Sequence, residues 1–146
     1  MELRKKIRDA SFNQAQVTDA SLLLILCADL KAWKSPRKYW TKVSKEIQDF
    51  LVKEILETFQ NNEQLQRDEA IRSIGIAAQT IMLAVKSIGY DSCPMMGFAQ
   101  KRVGNLINLP KNHIIGMMIA IGKAKRPPNP RGGQLSMEKV VFNDKF

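Results

Sequence analysis

The sequence predicts an α+β domain, and three observations carry that reading. Apolar residues recur with helical spacing through much of the chain, two runs are apolar without interruption, and one long segment is apolar on nearly every face. That segment runs from Arg67 to Phe98, RDEAIRSIGIAAQTIMLAVKSIGYDSCPMMGF. Ile71, Ile74, Ala78, Ile81, Val85 and Ile88 repeat every three or four residues, and Ala70, Ala77 and Ala84 form a second line of small side chains. Polar residues keep to two lines spaced by seven, Arg72–Gln79–Lys86 and Ser73–Thr80–Ser87. So narrow a polar stripe predicts a helix buried in a core or between subunits. Gly89 is placed to end it in the left-handed conformation. The CPMMGF that follows reads as a tight apolar turn, where the backbone itself could meet a ligand.

The other elements follow in order. Glu2 to Ser11 is a short charged helix with Leu3, Ile7 and Ala10 on one side. Ser11 to Thr18 is polar and irregular. Ala20 to Ala28, ASLLLILCA, is a continuous apolar run and predicts a central strand covered on both faces. Ser35-Pro36 is a suitable N-cap and N1 pair for a short turn. Thr41 to Gln60 is amphipathic, with Val43, Ile47, Phe50, Leu51, Ile55 and Phe59 on one side, and NNEQLQ links it to the long helix. Ala99 to Asn108 reads as a short helix and His113 to Gly122 as a second buried strand. The tail KAKRPPNPRGGQLS should be an extended loop, and MEKVVFNDKF is expected to close in a short strand. Two strands buried on both faces cannot form a sheet alone, because their edge groups would be orphaned. A further strand is therefore expected from outside these residues, either ahead of them or from a partner chain.

At 146 residues, 45% apolar and 25% charged, the chain has the size and composition of one globular domain. No apolar run approaches the roughly 20 residues of a membrane span, and MELRKKIRDA has no signal-peptide core, so a cytoplasmic protein is expected. Cys27 and Cys93 lie in apolar segments without metal-ligand spacing and are expected to be reduced core thiols. No metal cluster, Ser-His-Asp set or acidic dyad is present, and the single histidine, His113, is read as structural. The net charge of +9 raises nucleic acid as a partner. Most bases stand beside acids, however, and only Lys123, Lys125, Arg126 and Arg131 cluster without compensation. With no helix-turn-helix, zinc-finger or RNA-binding signature, the charge is assigned to solubility or to the phosphate of a small ligand.

Four stretches, in order, resemble the nitroreductase family of FMN-dependent, NAD(P)H-using oxidoreductases: FNQAQVTDASLLLILCA, SIGIAAQTIMLAVKSIGYDSCPMMGF, IIGMMIAIGK and PRGGQLSMEKVVFNDKF. The resemblance covers essentially the whole chain as one domain, residues 1–146. It implies an α-β-α sandwich around a central, mainly antiparallel sheet, a homodimer, and a small-molecule electron acceptor such as a nitroaromatic or quinone. Family members open with two helices, a strand and an Arg-rich RRSxR-like phosphate-binding element that have no counterpart after Met1. The chain is therefore expected to correspond to the C-terminal three-quarters of the family fold, N-terminally truncated. The alternative is a flavin-free remnant that serves as a dimeric scaffold.

The resemblance also assigns residues. The backbone N–H groups of Met96 and Gly97 would face flavin N5 and O4, with Pro94 and Met95 shaping the wall. Asn13 matches a family Asn at the flavin pyrimidine edge. Gln16 stands where some relatives carry Lys, and it can donate a hydrogen bond but cannot neutralise an anionic flavin. Arg131 matches a C-terminal Arg that reaches the FMN phosphate, a role that suits a planar guanidinium. No side chain is assigned a catalytic role, since hydride chemistry resides in the cofactor.

Overall fold

The computed structural model describes residues 2–146 and resolves into three layers. The middle layer is an antiparallel sheet in the order β1-β3-β2. Its strands are β1 (Leu22–Asp29), β2 (Asp91–Met95) and β3 (His113–Gly122). On one face lie α1 (Glu2–Asp9), α2 (Gln16–Asp19) and α5 (Gln100–Leu106). They bury Ile7, Ala10, Val17 and Val103 against Met95, Ile115, Met118 and Ala120. On the other face α4 (Glu63–Ser87) packs Ala78, Ile81, Met82 and Val85 on Leu24, Leu26, Ile119 and Ile121. Side chains alternate across the pleat, so β3 feeds both cores and β1 is shared in the same way. The fold class is α+β, as expected.

The third strand corrects the two-strand reading. Asp91–Met95 pairs with β3, Pro94 standing opposite Ile119 and Met95 opposite Met118. CPMMGF is thus not a single turn: its first residues are an edge strand. Proline hid this, yet proline is tolerated at an edge because no second neighbour needs its missing N–H. β3 is the central strand, whereas β1, expected in the middle, lies at the opposite edge and is only half-buried. Both runs are equally apolar, so composition did not separate them.

Between β1 and β3 the register slips. Leu26 faces Met117 while Cys27 faces Ile115, leaving Gly116 as the extra residue of a bulge. Gly116 lies directly beneath α4, and a Cβ there would come within 2.5 Å of Ile74 Cγ2. Only glycine allows helix and sheet to approach so closely at this point.

Helix boundaries follow capping chemistry. α3 (Lys45–Phe59) begins at Ser44, whose Oγ accepts from Ile47 N–H, four residues later than the amphipathic pattern suggested. α4 begins at Glu63 because the Asn62 side chain accepts from Leu65 N–H, so most of the expected linker is helix. It ends as expected at Gly89, with φ +77°. Gly89 N–H bonds Lys86 O and Tyr90 N–H bonds Val85 O, the paired bonds of a Schellman motif. Ser35 caps nothing by its side chain, and two 3-10 turns, Ala32–Lys34 and Pro36–Lys38, fill the β1–α3 connection.

Three other expectations change. α4 buries only the face of Gln66, Ala70, Ile74 and Ala78, and Ile76 (65%), Leu83 (62%) and Ile88 (70%) stand exposed. Cys27 and Cys93 are both exposed, not core thiols, although each lies in a strand of the sheet. Local desolvation nevertheless pushes the Cys27 thiol pKa up. The last residues form no strand: after Ala124 the chain is extended apart from one 3-10 turn, Met137–Lys139. Phe142 and Phe146 meet there in a tilted pair, ring centroids 4.5 Å apart and planes 40° apart.

A polar corner fixes where this tail departs. Asp91 accepts from Lys86 Nζ at 2.8 Å and from Ala124 N–H at 3.1 Å. These bonds, the Lys86 side chain first, hold its carboxyl below the usual carboxylate range. Lys123 donates to Gly89 O and lies 4.4 Å over the Tyr90 ring.

Candidate functional site

The α1–α2 connection meets the end of β2. Helix α1 closes on Ser11, fully buried, whose Oγ donates to Ile7 O at 2.7 Å. The chain then turns through two consecutive left-handed residues, Phe12 (φ +51°) and Asn13 (φ +57°). Arg8 braces this turn, donating to Asn13 O at 3.3 Å and to Thr18 Oγ1 at 2.9 Å. Arg4 donates to Val17 O and Ala20 O at 2.8 and 2.6 Å, satisfying carbonyls at the end of α2. Neither arginine stood out in the sequence: Arg4 works on backbone carbonyls 13 and 16 positions away, and Arg8 on a carbonyl and a hydroxyl that only the folded turn brings to it.

Opposite, the chain leaves β2 through Met96-Gly97-Phe98. Phe98 is buried in the core, and Ala99 N–H bonds Ala10 O at 2.8 Å, tying this turn to the end of α1. Gln14 spans the gap: its Nε2 donates to Gly97 O at 2.7 Å, while its Oε1 accepts from Gln16 Nε2 at 3.0 Å. A Cβ on Gly97 would lie 3.4 Å from Gln14 Nε2 and 3.9 Å from the Phe12 ring. Among the described residues, the N–H groups of Met96 and Gly97 enter no hydrogen bond.

Of the seven expected residues, Gln16 is linked through Gln14 to Gly97, beside which stands Met96. Pro94 lies in the edge strand opposite Ile119, and Asn13 precedes Gln14 in the left-handed turn. Asn13 also lines an open polar cleft of about 630 Å³ with Lys5, Arg8 and Thr18. Met95 differs from expectation, since its side chain is in the core (4% exposed) and shapes no wall. Arg131 is not joined to the cluster. It is exposed, makes no ion pair among the described residues, and is followed by Gly132 and Gly133, where an added Cβ would meet nothing within 4 Å. Gln14, the residue that joins the two halves, was missed; a glutamine in a polar loop carries no local signal of a partner so distant in sequence.

The arrangement is a shallow floor of exposed Phe12 (77%) and Met96 (60%), edged by the side-chain amides of Gln14 and Gln16 and by two backbone N–H groups without a partner among the described residues. Such a surface suits a flat, apolar heterocycle with hydrogen-bonding edges. Among the described residues, no group of three His, Cys, Asp or Glu could hold a metal, and no helix is long and apolar enough to cross a membrane.

A model described as the nitroreductase family matches residues 1–123. The chain belongs to the nitroreductase family. Protein DrgA of Synechocystis is 51% identical to it over 95% of this chain and 72% of its own length. MhqN of Bacillus subtilis, named as an NAD(P)H nitroreductase, is 31% identical over 96% of this chain and 72% of its own. This nitroreductase-family chain therefore spans somewhat under three-quarters of the length of these relatives. The crystal structure of YdfN from Bacillus subtilis, described as a nitroreductase, superposes with a TM-score of 0.89 at 29% identity, over 97% of this chain and 72% of that one. A structure from Exiguobacterium sibiricum, described as a nitroreductase in complex with FMN, gives 0.87 at 21% identity, over 97% and 71%, and so shares the fold. Membership places the protein in a family of oxidoreductases.

Proposed function

We propose that the protein is an FMN-dependent oxidoreductase that passes hydride from NAD(P)H to a nitroaromatic, quinone or similar small acceptor, and that it does so as a cytoplasmic homodimer. The observation that carries this reading is the pair of N–H groups at Met96 and Gly97 that have no partner among the described residues, set beside the amides of Gln14 and Gln16. Bound there, FMN would supply the hydride-accepting and hydride-donating centre. The names of relatives such as MhqN and the FMN complex of the Exiguobacterium protein agree with that choice.

The chain's own residues would bind and orient. Met96 and Gly97 offer fixed backbone dipoles, which favour electron-rich oxygen or nitrogen at the ring edge without a titrating group. Gln14 holds Gly97 O, which fixes the peptide that follows these donors and limits how far the turn can swing. Asn13 and Gln16 would address the pyrimidine edge, where Gln16 donates but brings no charge. Pro94 and the backbone of Met95 set the direction of the turn by their place in the edge strand. Arg131 would supply a charge-assisted bond to the phosphate. Homodimerisation is supported by the exposed apolar face of α4 and by the apolar tail, where Leu135, Met137, Val140 and Phe142 have no cover.

The test is direct. Purified protein should be yellow, release FMN on heating, and oxidise NADH or NADPH in the presence of menadione or nitrofurazone. Colourless protein that takes up no added FMN would overturn the proposal and leave the flavin-free scaffold.

A further inference from the structure

A second pocket lies away from the Gln14–Gly97 site and shares no residue with it. It is an apolar cavity of about 350 Å³ between the end of β1, the two 3-10 turns, α3 and α4. Leu30, Trp33, Pro36, Ile55, Phe59 and Ala70 supply its apolar walls. The volume is at the lower end of the range of small-molecule sites.

Its buried polar groups are spent, with one exception, and Tyr39 on its rim is exposed. Gln66 is buried, its Oε1 accepting from Lys31 Nζ at 2.8 Å and its Nε2 donating to Phe59 O at 2.7 Å. Asp29 accepts from Lys31 N–H at 2.8 Å. Glu69 is paired with Arg72 and accepts from Ser73 Oγ. The remaining group is the indole Nε1–H of Trp33, shielded from solvent and without an acceptor among the described residues. A buried donor left unpaired is unfavourable, and indole can only donate. Asp29 and Glu69 on the wall disfavour anions; Lys31 is engaged on Gln66, and Lys34 Nζ lies 5.7 Å over the Trp33 ring.

We propose that this pocket binds an uncharged aromatic molecule with a single hydrogen-bond acceptor, of the aryl ketone class, whose carbonyl oxygen accepts from Trp33 Nε1. The rings would lie against Ile55, Phe59 and Ala70. The site needs neither flavin nor Arg131, so it stands or falls separately from the oxidoreductase reading.

The experiment is a titration of the protein as purified with 1-acetonaphthone, followed by the ¹H–¹⁵N resonance of the Trp33 indole, which is assigned by its loss in Trp33→Phe. The indole resonance should move and saturate. 1-Ethylnaphthalene, of similar shape but without an acceptor, should bind about tenfold more weakly, and 1-naphthoate more weakly than the ketone. Trp33→Phe should lower ketone affinity about tenfold and leave the hydrocarbon unchanged. An unmoved indole resonance, equal binding of ketone and hydrocarbon, or shifts confined to the amides of Phe12 and Gly97 would overturn the proposal. The wild-type titrations decide it even if the variant does not fold.

Discussion

Gln14 and Gly97 are 83 positions apart in sequence and 2.7 Å apart in space, amide donor to backbone carbonyl. One side chain thus holds the α1–α2 turn against the strand end that carries the unpaired N–H groups. Gln14→Ala should weaken FMN binding about tenfold, the worth of roughly one hydrogen bond, and lower the thermal midpoint by about 3 °C. Flavin fluorescence titration and calorimetry read the two effects. Unchanged FMN affinity would mean that the bond does not serve the cofactor.

Arg131 calls for a test that separates phosphate from ring. Arg131→Ala should weaken FMN by about ten- to a hundredfold, the range of a lost charge-assisted bond, and leave riboflavin untouched. Equal losses for both ligands would remove Arg131 from the phosphate.

Acidification acts on the Asp91 corner with a defined sign. The folded pKa is depressed, first by the Lys86 side-chain bond and then by Ala124 N–H, so the contribution to stability is present above the unfolded carboxylate pKa of about 3.9 and is lost as pH falls through the folded value. Wild type should therefore exceed Asp91→Asn in stability near neutrality, and the two should converge in acid. Denaturant titrations across pH check this, and a gap that widens in acid would contradict it.

Gly116 is the most restrictive position in the sheet. Gly116→Ala would push a methyl into Ile74 and should cost about 1–3 kcal/mol. In an Ile74→Ala background the same substitution should cost much less, because the obstructing atoms are gone. A double-mutant cycle by chemical denaturation measures the coupling, and additive effects would refute it.

Leu83→Glu, on the exposed face of α4, should convert a dimer to a monomer with little loss of core packing. Light scattering gives the mass. A variant that keeps the wild-type dimeric mass, or a wild type already monomeric, would count against that face as the interface.

What could be read from the sequence was what is local. The Gly89 cap follows from a period that breaks at one glycine, and both long strands follow from unbroken apolar runs. β2 was missed because Pro94 argues against a strand until a central neighbour at one edge is known. Met95 and Met96 are adjacent and alike, yet the pleat sends one to the core and leaves the other exposed. That alternation shows only once the strand is recognised. Gln14, Arg4 and Arg8 were silent because their partners, mostly backbone carbonyls, take their positions only in the finished fold.

The corner at Asp91 has a consequence for reach. Ala124 is held there by its own N–H, and only seven residue steps separate it from Arg131. Even fully stretched, that length of chain spans about 24 Å. Any anion that Arg131 meets must lie within that distance of Ala124 plus the length of the arginine side chain. The corner therefore acts as a leash: it turns a solvent-exposed arginine into a local reagent whose effective concentration is set by tether length.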